Sequence, residues 1–195
     1  MRSSMIGACA SAIALSLPVG AQAPAAGTIL PPAQQIAAAV SAAPAELRAG
    51  ATVLGYDASK KLVKLRDGTG DMVCLANNPD GEQFHVACYH KLLEPFMARG
   101  RSLRAEGVKG PQVDTVRFKE IKSGALKMPA TPSALYTLTG PPKSVDATGA
   151  KWLYVVYIPG ATTASTGLTE KPAPGVPWIM YAGTPKAHIM FFTGM

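Results

Sequence analysis

The chain has 195 residues, 48% of them apolar and only 16% charged, with 19 glycines and 17 prolines. That balance excludes a helical bundle or coiled coil and favours a loop-rich, largely β domain. The formal net charge of +7 favours anionic partners or serves solubility alone.

The first 23 residues form a recognisable series. Arg2 precedes a charge-free stretch that is apolar from Ile6 to Leu17, followed by Pro18, Gly20 and the small-x-small sequence Ala21-Gln22-Ala23. This order of basic, apolar and cleavable segments predicts a secretory signal peptide over residues 1–23, removed after Ala23. The apolar run is too short for a bilayer span, which needs about 20 residues, so no transmembrane anchor is expected after cleavage. Cys9 has a lipobox-like setting, but the apolar run follows it instead of preceding it. The expected location is therefore periplasmic or extracellular, which lowers the case for nucleic acid as a partner. An anionic cell-envelope component is the partner class that the basic charge suggests. Arg2 is the only charged residue before the cleavage point, so the remainder carries 18 basic and 12 acidic residues, a formal charge of +6.

Residues 24–32 read as a flexible Pro/Ala/Gly leader and residues 33–195 as a single globular domain. A helix is expected over Ala33–Ala43, with Ile36, Ala39, Val40 and Ala43 on one face, stopped by Pro44. Strands follow at Ala51–Tyr56, Lys61–Arg66, Asp71–Ala76 and Phe84–Tyr89, with turns at Asp57–Lys60 and Asp67–Gly70. Taken consecutively they predict a four-stranded antiparallel meander.

After cleavage Cys74 and Cys88 remain, an even number in an oxidising compartment, and a disulfide is expected between them. The intervening Asn77-Asn78-Pro79-Asp80-Gly81 is dense turn chemistry. Folding about Gly81 sets the two cysteines opposite one another. Such a staple closes a loop of about 15 residues, worth roughly 3 kcal/mol in the loop-entropy description.

Pro95 and Gly107 bracket a second helix, with Phe96, Met97 and Leu103 inward and Arg99, Arg101 and Arg104 outward. Val113–Leu126 fits a helix loosely. Strands return at Ala134–Thr139 and Trp152–Ile158, where Trp152, Tyr154 and Val156 share one face and Leu153, Val155 and Tyr157 the other. A long loop over Gly160–Gly175 leads to a closing hairpin of Trp178–Tyr181 and His188–Phe192. The fold class is α+β: one domain, a largely antiparallel sheet with a few flanking helices on one side.

Chemical signatures are sparse. No C-x-x-C, G-x-S-x-G, H-E-x-x-H or phosphate-cradling glycine motif occurs, so neither a metal nor any cofactor is expected. The motif-free candidates for catalysis are His188, His85 and His90. Candidates for ligand contact are Arg99, Arg101 and Arg104 on the basic helix and Trp178 in the aromatic hairpin. The expectation is a non-catalytic secreted or periplasmic binding or accessory module. The alternative is an exported hydrolase or metal-dependent enzyme centred on His188 with His85 or His90, which requires two of these rings, or one ring and a carboxylate, to converge within a pocket.

Overall fold

A computed structural model describes residues 27–192; the expected signal peptide over residues 1–23 lies outside them. Helix α1 (Pro32–Val40) and the short α2 (Ala45–Arg48) lead into strands β1 (Thr52–Tyr56), β2 (Leu62–Arg66), β3 (Met72–Leu75) and β4 (His85–His90). A 3-10 turn at Lys91–Leu93 runs into α3 (Glu94–Ala105), followed by α4 (Gln112–Lys122). Strands β5 (Ser133–Thr139) and β6 (Lys151–Tyr157), the single-turn α5 (Thr163–Thr166), β7 (Trp178–Met180) and β8 (His188–Phe192) complete the domain. All eight strands form one sheet in the order β2-β1-β3-β4-β5-β6-β8-β7. Every neighbouring pair is antiparallel except β1 and β3, so the α+β class stands.

The expected meander is corrected at one crossing. After β2 the chain passes the start of β1 and pairs β3 along its other side, with Val53 opposite Cys74. Gly68 permits this: a side chain there would collide with the Thr52 nitrogen and the Ala51 and Gly50 backbone. Gly70 N–H then bonds Gly50 O at 2.8 Å, and Arg66 donates to Ala51 O at 3.0 Å. Main-chain packing at a glycine decides the strand order here.

Helices cover both faces of the sheet, not one. On the first, α1 lays Ala39, a residue with no exposed surface, over Val53, Cys74, Val86 and Cys88. Small side chains let the helix approach until Cys88 Sγ lies 3.3 Å from Ala39 O. On the second face, Leu93 and Phe96 pack over Val73, Tyr89, Val155 and Tyr157. Phe118 and Ile121 of α4 join the same cluster. Each fully buried Leu or Phe contributes about 1.5–3 kcal/mol. The alternation along β6 follows the expected faces: Val155 and Tyr157 are buried with the α3–α4 cluster, and Trp152 packs with the α1 cluster.

Cys74 and Cys88 face each other in the β3–β4 register and are joined as a disulfide, with Cα atoms 4.0 Å apart. Residues 27–32 of the expected leader are among those described, and Leu30 is bonded to the helix that follows. Gln35, 5% exposed, donates to Leu30 O at 2.8 Å and Tyr56 O at 2.9 Å and accepts from Tyr56 N at 2.8 Å. This one side chain ties the chain before α1 and the end of β1 to the helix. Among the described residues no helix is long and apolar enough to cross a membrane.

Candidate functional site

The loop closed by the disulfide presents Asn77–Glu82 at one end of the sheet, with a cleft on either side. On the α1 side a cleft of about 300 Å³ has Ile29, Leu30, Ala38, Phe84 and Val145 among its walls. Glu82, Lys143, Asn77 and Asn78 line it as well. It is built by four segments distant in sequence. Lys143 N–H bonds Glu82 O at 3.0 Å, and Gly140 N–H bonds Phe84 O at 2.9 Å. Ser144 Oγ accepts from Phe84 N at 3.1 Å, and a side chain at Gly140 would displace it. These bonds dock the loop after β5 onto the disulfide loop. Lys143 has φ of 64°, a left-handed conformation that a non-glycine residue adopts only when its surroundings hold it there.

On the α3 side the same turn bounds a second, more open groove of about 430 Å³, with Leu75 and Ala87 in its floor and Gln83 and His85 beside them. Tyr56 borders both spaces. Burial pushes its phenol above the usual range, with Arg101 pulling the other way.

The three histidines do not converge. His85 and His90 stand at opposite ends of β4, about 17 Å apart at the rise of an extended strand. His85 shares a sheet face with His188 but lies opposite Thr139, and Thr139 opposite Lys151, whereas His188 pairs with Tyr157, the other end of β6. His90 shares its face with Cys88, opposite to the His188 face, and β5 and β6 stand between. The pairing of His188 with either partner is therefore not made by the fold. Locally, His85 Nδ1 meets Thr139 Oγ1 at 2.8 Å, and His90 Nδ1 accepts from Leu92 N at 3.2 Å as a cap. Desolvation lowers the His85 pKa. Among the described residues no group of three or more His, Cys, Asp and Glu side chains is placed to hold a metal ion.

His188 is buried, its ring 5.0 Å from Tyr157 and 5.7 Å from Tyr181. Its Nδ1 donates to Lys186 O at 2.7 Å, which leaves the lone pair of the neutral ring on Nε2. Desolvation lowers its pKa. Beside it Lys186 reaches across the Tyr181 ring to Asp114 Oδ2 at 2.8 Å, and the other Asp114 oxygen accepts from Arg117. Burial alone would raise the Asp114 pKa, but these two cations bring it below the usual value. Burial also pushes the Tyr157 phenol up to about 12. Neither cleft is lined by His188.

The basic helix is largely occupied with itself and its neighbours. Arg99 pairs with Glu120 at 2.8 Å and Glu106 at 3.2 Å. Arg101 pairs with Glu94 at 2.6 Å and donates to the Tyr89 hydroxyl at 2.8 Å. Arg104 donates to Gly100 O of its own helix at 3.1 Å. Trp178 is buried and stacks 5.1 Å from Phe192 at the sheet edge. None of these four side chains borders either cleft. The residues that do, Ala38, Tyr56, Glu82 and Lys143, carry no motif. The Asn-Asn-Pro-Asp-Gly turn was the one visible signal near them. Comparison of the chain with models of known families, with characterised proteins and with solved structures finds no match.

Proposed function

We propose that the chain is an exported, non-catalytic binding module whose ligand occupies the α1-side cleft. The observation that carries this reading is the cleft itself. It is an apolar-walled space of about 300 Å³, at the lower end of the range for small-molecule sites, assembled on a disulfide-closed loop. Export is supported by the composition of residues 1–23 and by a Cys74–Cys88 pair at bonding distance. A binding role is favoured over catalysis because neither cleft brings a nucleophile and a base together, and the histidines stand apart.

The test uses the neutral apolar probe N-phenyl-1-naphthylamine with the exported protein. Saturable one-to-one fluorescence enhancement is expected. It should be lost in Ala38→Trp and in Val145→Trp, two fillings from different walls, each checked for an intact fold by circular dichroism. Absence of saturable binding to the wild-type protein, or binding that survives both fillings in folded variants, overturns the reading.

A further inference from the structure

Two opposite charges line the cleft and neutralise nothing. Glu82 and Lys143 both border the apolar space, and their backbones are joined by the Lys143 N–H to Glu82 O bond. Yet the side chains pair neither with each other nor with any other described residue. Other acids at the surface are answered close by: Asp80 takes Lys60, Asp71 takes Lys91, and Glu120 takes Arg99, whereas Glu82, like Glu46 and Glu170, has no such partner among the described residues. Lys143 is moreover held in a left-handed backbone conformation, with its N–H tied to Glu82 O. An apolar pocket with one free anion and one free cation at its edge is complementary to a body that is apolar and carries both charges.

We propose, building on the cleft reading above, that the ligand is a zwitterion with an apolar side chain: an apolar amino acid or a short apolar peptide with free termini. The ligand ammonium meets Glu82 and its carboxylate meets Lys143, both as charge-assisted hydrogen bonds. Its hydrocarbon part lies against Leu30, Phe84 and Val145. Binding is reversible, and no bond is made or broken. The polar groups fix orientation and the apolar walls supply contact area, the usual division of labour in small-ligand sites.

The assay is displacement of bound N-phenyl-1-naphthylamine by four compounds: L-leucine, N-acetyl-L-leucine, L-leucinamide and N-acetyl-L-leucinamide. Leucine is expected to displace best, and each single capping to weaken displacement about tenfold, the equivalent of about 1.4 kcal/mol. Glu82→Gln should remove the penalty for acetylation and leave the penalty for amidation. Lys143→Gln should do the reverse. Both positions are exposed, so the variants are expected to fold. Equal displacement by leucine and by doubly capped leucine overturns the zwitterion and leaves the cleft standing. Failure of leucine to displace a probe that does bind has the same meaning. A wild-type protein that never binds the probe instead removes the cleft reading itself.

Discussion

Gly68 lies across the amide of Thr52 so closely that the chain could not pass there with any side chain. This contact takes β3 to the far side of β1 and makes the only parallel pair among the eight described strands. Gly68→Ala must push two backbones apart at the start of β1. We expect a loss of about 3 kcal/mol, the upper end for overpacking, read as a lower urea midpoint at unchanged slope. A stability within about 0.5 kcal/mol of wild type, the range of neutral surface changes, would show that the crossing is not tight.

The Cys74–Cys88 bond closes the loop that bounds both clefts. Reduction, or the Cys74→Ala/Cys88→Ala pair, is expected to cost about 3 kcal/mol for a loop of roughly 15 residues. Probe binding should weaken together with stability, because Asn77–Glu82 loses its fixed base. Thermal unfolding with and without reductant measures the first effect, and the fluorescence titration the second. Unchanged unfolding under reductant would remove the disulfide from the account.

Asp114 stands between Arg117 and Lys186 and so joins α4 to the β7–β8 turn. Arg117 is 4% exposed, lies 3.7 Å over the Phe96 ring and keeps an unbonded Nε in the interior. Asp114→Asn leaves that guanidinium buried without its counter-charge, and a loss of about 3 kcal/mol is expected. Combining it with Arg117→Met should restore part of the loss, since the stranded charge is gone. A double variant no more stable than Asp114→Asn would argue against this cause.

His188 provides a pH dependence of known sign. Desolvation lowers its pKa in the folded protein, so the unfolded chain binds its proton first as pH falls. Its contribution is complete above the ordinary histidine value of about 6.5 and is lost as pH falls through the lower folded value. His85 shifts in the same direction. Chemical denaturation at a series of pH values should therefore show stability falling below about pH 6.5. In His188→Phe the fall should be shallower, with the His85 part remaining. An identical acid limb in this variant would place the dependence elsewhere.

Gln35 makes three hydrogen bonds that join α1, Leu30 and Tyr56. Gln35→Leu keeps the volume but strands the Tyr56 amide and carbonyl at a cost of about 2 kcal/mol. Amide exchange at Tyr56 should accelerate more than exchange at Val53 near the start of the same strand. Equal acceleration at both positions would mean a global effect instead of a local one.

The composition and local patterns of the chain determine its α+β class, most of its strands, the helix beginning beside Pro95 and the cysteine pairing about Gly81. Those features depend on near neighbours: side-chain alternation, turn residues and a symmetric hairpin act within some fifteen positions. The signal-like composition of residues 1–23 belongs to the same class of local information. Strand order, the faces taken by the helices and the two clefts were decided only in three dimensions. Gly68 meets Thr52, Gln35 meets Tyr56, and Lys143 meets Glu82 across stretches of chain that carry no periodic mark. The arginines of α3 looked free because charge is visible in a sequence, whereas Glu120 is brought to Arg99 by the packing of α4, and Glu94 meets Arg101 two turns along the same helix. The histidines invited a shared site because their type is visible and their separation is not. Local chemistry acts through adjacent bonds and is written in order along the chain; a site forms where distant segments meet, and that meeting is set by the packing of the whole core.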